Sequence, residues 1–191
     1  MRDEDVADGQ AGGLERFARL NRWEADLVER ALPARPPPRP LLVVSRLADG
    51  SRLWLAIAGV MALRPALRRT AAEGVAALLL AAGGTQVVQR LVGRPRPSPD
   101  HPARRDLTTQ PDTPSFPSSH TAVAVAFTTA VARRSPQPAA ALVLLAATLA
   151  YGRVRLRVHW PTDVLGGAVL GTAAARAVSS VFARFRSTRQ R

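Results

Sequence analysis

The residues best suited to chemistry in this 191-residue chain are two histidines, one carboxylate and two arginines. His159 stands four positions before Asp163, close enough for the pair to touch on one helical turn or in a short loop. A carboxylate that accepts from one imidazole nitrogen leaves the other free to attack an electrophile. His120 follows Pro117-Ser118-Ser119 at the start of an apolar run and can protonate a leaving oxygen. Arg96, in Gln89-Arg90-Leu91-Val92-Gly93-Arg94-Pro95-Arg96-Pro97, and Arg153 each present a planar fork of donors that matches phosphate oxygens. Ser118 and Ser119 open a helix, where unpaired N–H groups and the helix dipole favour an anion. The chemistry these types suggest is attack on a phosphoryl group held by guanidinium groups and backbone amides.

Each piece alone has an ordinary explanation. Arg94-Pro95-Arg96-Pro97 reads as a basic loop whose prolines end a helix, Ser-Ser-His as a helix cap, and His159 with Asp163 as a capping pair. The conjunction is harder to explain by packing. Thirteen of the 14 acids lie at or before Asp112, which leaves Asp163 as the one carboxylate in the remainder. Of the three histidines, His101, His120 and His159, two fall in these segments.

Composition removes other chemistries. All 27 basic residues are arginine, giving a net charge of +13, and there is no lysine and no cysteine. Lysine Schiff bases, cysteine nucleophiles, thiolate metal sites and disulfide scaffolds are excluded. The basic excess points to an anionic partner. Aromatics make up only 5% of the chain, and the arginines gather at the ends of apolar runs. That is the pattern of membrane flanks and not of a nucleic-acid surface.

Five apolar runs must position these residues: Leu53–Leu63, Gly74–Gln89, Ser115–Ala132, Ser135–Gly152 and Val164–Ala183. Packed into about 130 residues between arginine pairs, they predict an all-α, polytopic membrane bundle of about five spanning helices. A soluble helical bundle rich in Ala and Leu is the alternative. Residues 1–12 are expected to be a disordered tail. Residues 13–40 hold an amphipathic helix and a proline-rich linker, 41–186 the bundle, and 187–191 a basic tail. On the amphipathic helix Phe17, Leu20, Trp23, Leu27, Val28 and Ala31 share the apolar face, to lie in the membrane interface or pack on the bundle. Five crossings put the 90–117 loop and the 153–163 segment on the same side. Arginines on both sides leave its sidedness open.

The three segments resemble the signature motifs of the type 2 phosphatidic acid phosphatase (PAP2) superfamily: Lys-x6-Arg-Pro, Pro-Ser-Gly-His and Ser-Arg-x5-His-x3-Asp. Arg96-Pro97 matches the end of the first, Pro117-Ser118-x-His120 the second, and Arg153, His159 and Asp163 the third, in order and at the right spacing. Gln89 stands at the family's lysine, Ser119 at its glycine and Gly152 at its serine.

The resemblance implies a multi-pass enzyme of the cell membrane that hydrolyses a lipid phosphate or polyprenyl (di)phosphate without a metal or other cofactor. It implies His159 as the nucleophile of a phosphohistidine intermediate, supported by Asp163, and His120 as the general acid. Arg96, Arg153, Ser118, Ser119 and, by position, Gln89 would hold the phosphate. Arg155 and Arg157 would assist the head group or, the favoured reading, face lipid phosphates. Rival readings are a weakened membrane lipid-binding scaffold, motivated by Gln89 and Gly152, and a vanadate-dependent haloperoxidase.

Overall fold

The structure is a computed structural model that describes residues 3–32, 37–97 and 113–188, with side chains from residue 17 to 184 of these. His101 and linker residues 33–36 lie outside the described residues. Seven α-helices follow in order among those described: α1 (Asp3–Ala31), α2 (Arg39–Leu47), α3 (Arg52–Ala62), α4 (Arg68–Val92), α5 (Ser119–Ala132), α6 (Pro136–Arg155) and α7 (Pro161–Thr188). Each apolar run of the sequence has become one helix, α3 to α7. The helix α1 begins at Asp3, so it takes in residues expected to form a disordered tail. Arg39 and Pro40, expected in the linker, start α2, where a proline costs no intrahelical hydrogen bond.

The helix α5 is the axis of the bundle. It packs against α4, α6 and α7, while α3 lies on α4 and α2 on α6. Its Ala122, Ala124, Ala126, Phe127, Ala130 and Val131 are fully enclosed. Alanines dominate the contact among α4, α5 and α7 through Ala77, Ala81, Ala122, Ala126, Ala130 and Ala175. Small side chains let the backbones approach closely, which is how apolar helices pack without a hydrophobic driving force between them. At Gly171 a Cβ atom would come within 2.3 Å of the Ala122 carbonyl oxygen, and at Gly167 within 2.5 Å of the Ser118 carbonyl oxygen. Larger residues gather on the other side of α5, where Trp54 and Phe127 stack at a tilt with centroids 5.7 Å apart.

The outer faces are apolar. Leu79, Leu80, Val87 and Leu91 on α4, Val143 and Leu144 on α6, and Leu165 and Val169 on α7 are all exposed. So much exposed aliphatic surface marks a bundle that faces lipid. Three helical stretches are long and apolar enough to cross a membrane: Pro65–Val92, Pro136–Arg155 and Pro161–Arg184. The apolar α5 is shorter and enclosed.

At the end of the bundle away from the histidines, Glu73 is fully buried. It accepts from the Ser179 hydroxyl at 2.5 Å and pairs with Arg134, which joins α4, α7 and the α5–α6 turn.

Candidate active site

The three sequence segments meet at the opposite end of the bundle. One main-chain hydrogen bond joins two of them directly: the Ser118 N–H donates to the Asp163 carbonyl at 2.9 Å. It ties the start of α5 to the start of α7. The segment from 94 to 97 is laced to 113–117. Ser115 N–H donates to the Arg94 carbonyl at 2.8 Å, and the Ser115 hydroxyl to the Pro95 carbonyl at 3.2 Å. Arg96 Nε donates to the Thr113 carbonyl at 2.8 Å.

His159 lies in the loop before α7 and is 3% exposed. Its Nδ1 is 2.8 Å from the Ser115 carbonyl oxygen and 3.5 Å from Asp163 Oδ2, while its Nε2 is 3.2 Å from Arg96 Nη1. A carbonyl can only accept and a guanidinium can only donate. One tautomer satisfies both: Nδ1 carries the proton and Nε2 presents its lone pair. The sequence reading gave the orienting role to Asp163 alone. Ser115 is the nearer acceptor, with Asp163 beside it. Burial, then the charges of Arg96 and Arg153, push the His159 pKa down to about 4 against the opposing pull of Asp163. The ring is a neutral base at ordinary pH.

Asp163 is itself fully buried. Its Oδ1 accepts from Arg94 Nη1 at 2.7 Å and its Oδ2 from the Trp160 N–H at 2.9 Å. Arg94, which read as a loop residue, is the hub of this end of the molecule. It is 1% exposed and lies between the rings of Phe17 and Trp160, 5.5 Å from each centroid. It donates to Asn21 Oδ1 at 2.7 and 3.0 Å and to the Thr162 hydroxyl at 2.6 Å, and it pairs with Glu24. Glu24 in turn accepts from the Thr162 N–H at 2.7 Å.

Helix α1 therefore packs on the bundle through Phe17, Asn21, Glu24 and Val28, an i, i+4, i+7, i+11 stripe. The expected apolar face is split: Leu20, Trp23 and Leu27 remain exposed. The sequence reading missed Glu24, Asn21, Arg94, Thr162 and Ser115. One available signal was an acid on the stripe between Phe17 and Val28.

The phosphate-binding candidates separate into two groups. Arg153, on the last turn of α6, is 5% exposed, and its Nε and Nη2 have no hydrogen-bond acceptor. Arg96 lies within electrostatic reach of both histidines, as does Arg153. Ser119 and His120 occupy the first turn of α5, whose N–H groups have no intrahelical acceptor.

Ser118 and Gln89 build the frame instead. Ser118 is fully buried; its Oγ caps α5 by accepting from the Thr121 N–H at 3.5 Å and also accepts from the Thr121 hydroxyl at 3.1 Å, and its N–H is already engaged by Asp163. Gln89 donates to the Pro117 carbonyl at 3.0 Å. Gly152, where the motif has serine, faces α2: a Cβ there would lie 3.0 Å from Leu41 Cδ1. Arg155 and Arg157 do not face lipid, since both are buried and Arg157 pairs with Glu29 of α1 at 3.2 Å.

His120 is partly exposed and opens on a cleft of about 400 Å³ lined by residues of α3, α4 and α5. Its Nε2 is 3.0 Å from Asp49 Oδ1, in the turn between α2 and α3. The hydrogen bond to His120, followed by the charges of His120, Arg153 and Arg52, holds the Asp49 carboxyl below its usual pKa despite partial burial. Asp49 is ionised at neutral pH.

A neutral imidazole lone pair beside a cluster of guanidinium groups, with a second histidine on a neighbouring helix start, can perform nucleophilic substitution at phosphorus. The family model of the PAP2 superfamily matches residues 71–187. A decaprenylphosphoryl-5-phosphoribose phosphatase of Mycolicibacterium smegmatis is 38% identical over 128 residues, 65% of this chain and 67% of that protein. Its counterpart in Mycobacterium tuberculosis H37Rv is 36% identical over 129 residues, 68% of this chain and 70% of that one.

Among solved structures, Aquifex aeolicus LpxE superimposes with a TM-score of 0.64 at 23% identity, over 85% of this chain and 94% of that one. The PAP2-type phosphatidylglycerolphosphate phosphatase of Bacillus subtilis gives 0.63 at 18% identity, over 88% and 87%. These two likenesses speak for the fold. With the family model covering more than half of its length and its relatives named as phosphatases, the chain belongs to the PAP2 superfamily and is a phosphatase of the PAP2 type.

Proposed function

We propose that this protein is a multi-pass enzyme of the cell membrane that removes the terminal phosphate from an amphiphilic phosphate, in particular a polyprenyl-linked sugar phosphate. The chemistry runs through a phosphohistidine and needs no metal. The observation that carries this reading is the placement of the His159 ring. Nδ1 lies 2.8 Å from the Ser115 carbonyl oxygen, which can only accept, and Nε2 lies 3.2 Å from Arg96 Nη1, which can only donate, so the lone pair belongs to Nε2. In the first step the His159 Nε2–P bond forms as the P–O bond to the leaving group breaks, and His120 gives its proton to the departing oxygen. Neutral His120 then takes a proton from water, which attacks phosphorus, breaks the P–N bond and releases orthophosphate. Arg96, Arg153 and the first N–H groups of α5 meet the charge that grows on the phosphoryl oxygens. The names of the relatives at 36–38% identity support the polyprenyl-linked sugar phosphate among the amphiphilic candidates.

The test is phosphate release by the purified protein in detergent with excess EDTA. The expected result is turnover that His159→Ala abolishes, with an acid-labile, alkali-stable phosphoprotein trapped from the unsubstituted enzyme after rapid quenching. Turnover by His159→Ala at the unsubstituted rate rejects the nucleophile. Activity that disappears in EDTA and returns with a divalent ion rejects the metal-free route.

A further inference from the structure

The cleft beside His120 contains groups that phosphoryl transfer leaves unused. Ser51, Thr85, Gln86 and Arg90 line it beside Ser119 and His120, a wall rich in hydroxyl, amide and guanidinium groups. At its rim, residues 48–51 turn the chain from α2 into α3, with Gly50 and Ser51 both at positive φ, 61° and 64°. Asp49 stands on this turn. Its neighbours Ala48, Gly50 and Ser51 line the cleft, its side chain is 55% exposed, and its Oδ1 is 3.0 Å from His120 Nε2. Residue 49 also precedes the stretch that the family model matches, 71–187.

His120 is the residue that hands a proton to the departing oxygen, and Asp49 Oδ1 lies 3.0 Å from Nε2 of that ring. Whatever carries the departing oxygen therefore comes close to the Asp49 carboxylate while the P–O bond breaks. We propose that Asp49 and the adjoining cleft form a binding site for a leaving group that bears free hydroxyls, a sugar or other polyol. This rests on the phosphatase reading above.

An ionised carboxylate accepts hydrogen bonds from hydroxyls beside the departing oxygen and takes no part in proton transfer itself. Diacylglycerol, the leaving group of phosphatidic acid, has no hydroxyl other than the one being freed. Prenyl phosphate, the leaving group of a prenyl diphosphate, is an anion that the carboxylate repels. One side chain thus sorts three leaving groups that the histidines and arginines would treat alike. Arg52 and Arg153 partly offset its charge, which keeps it compatible with the nearby phosphoryl group.

The experiment measures phosphate release by the full chain in detergent micelles from a polyprenyl-phosphoryl pentose 5-phosphate, phosphatidic acid and farnesyl diphosphate. It compares the unsubstituted protein with Asp49→Ala and Asp49→Asn. The unsubstituted protein is expected to favour the pentose phosphate. In Asp49→Ala the ratio of kcat/KM for the pentose phosphate to that for phosphatidic acid should fall about 10- to 100-fold, the loss of a hydrogen bond to a charged group. Asp49→Asn should raise the rate with farnesyl diphosphate relative to phosphatidic acid, because the repulsion is gone. An equal loss on all three substrates would leave Asp49 as a holder of His120 and overturn the subsite, as would an unchanged ratio. An unsubstituted protein that takes the three substrates equally also overturns it. If that protein releases phosphate from none of them, the phosphatase reading itself falls.

Discussion

The Ser118 amide donates to the Asp163 carbonyl at 2.9 Å, and this bond between residues 45 positions apart makes one site of two helix starts. Glycines keep the two helices close enough for it. At Gly167 a Cβ would meet the Ser118 carbonyl oxygen at 2.5 Å and Thr121 Cβ at 3.1 Å. Backbone cannot yield there as a flexible side chain can. Gly167→Ala is therefore expected to push α7 off α5 and to lower both the midpoint of thermal unfolding in detergent and kcat. Gly59→Ala, where nothing lies within 4 Å, is the matched control and should change neither. Equal behaviour of the two variants would show that the close approach is not needed.

Arg94 joins two fully buried carboxylates, Glu24 and Asp163. Removing the shared cation leaves both charges without compensation, and breaking a buried pair this way costs about 3–5 kcal/mol. Arg94→Ala should reduce thermal stability sharply. Arg94→Lys restores charge but not the fork that reaches Asn21, Thr162, Glu24 and Asp163 together. It is expected to recover part of the stability and little of the activity. Full recovery of phosphate release by lysine would show that charge alone positions Asp163.

The pH dependence of the reaction follows from His159. Burial holds its pKa at about 4, so the lone pair proposed as the nucleophile persists well below the ordinary histidine value of 6.5. The acid limb of kcat/KM assigned to the nucleophile should fall near pH 4. The sign for stability follows too. The unfolded chain takes up this proton as pH drops through 6.5, and the folded chain only near 4, so this residue erodes stability across that interval and no further below it. A steady-state pH series with inactivation controls checks the limb. A limb at 6.5 would place His159 in water.

Arg153 holds two guanidinium nitrogens without acceptors in a buried setting. Arg153→Lys keeps a charge and loses the fork, so kcat/KM should fall by about tenfold or more, while exposed Arg52→Lys changes it little. Orthophosphate inhibition measured on both variants separates binding from chemistry: weaker inhibition is expected only for position 153. Unaltered inhibition at that position would remove Arg153 from the phosphate contacts.

The helices were legible in the sequence because an uninterrupted apolar run has few other outcomes. His120, His159 and Asp163 stood out because so few carboxylates and imidazoles compete for attention in the second half of the chain. The supports were hidden. Arg94 looks like any arginine in a proline-rich loop, and what makes it a hub is contact with residues 68 to 73 positions away. Asp49 was not singled out in the sequence, because nothing local reveals that it meets His120, 71 positions on. The hydrophobic pattern of α1 marked only part of its packed side, Phe17 and Val28, because polar Asn21 and Glu24 are drawn inward by the arginine they serve. Local patterns record burial of apolar surface, whereas a buried ion pair is recorded in two distant places at once.

The length of α4 has one more consequence. Arg69 near its start and Arg90 in its last turn are separated by 21 residues, or about 31 Å at 1.5 Å per residue, close to the thickness of the bilayer's hydrocarbon. Gln89, which holds Pro117 at the mouth of the second motif, sits one position inside that boundary. With α4 upright across the membrane, bond cleavage takes place where acyl chains give way to water. On the proposed reading, the tail of an amphiphilic substrate stays anchored in its own leaflet throughout the cycle, the orthophosphate departs into the aqueous phase, and the lipid product returns sideways.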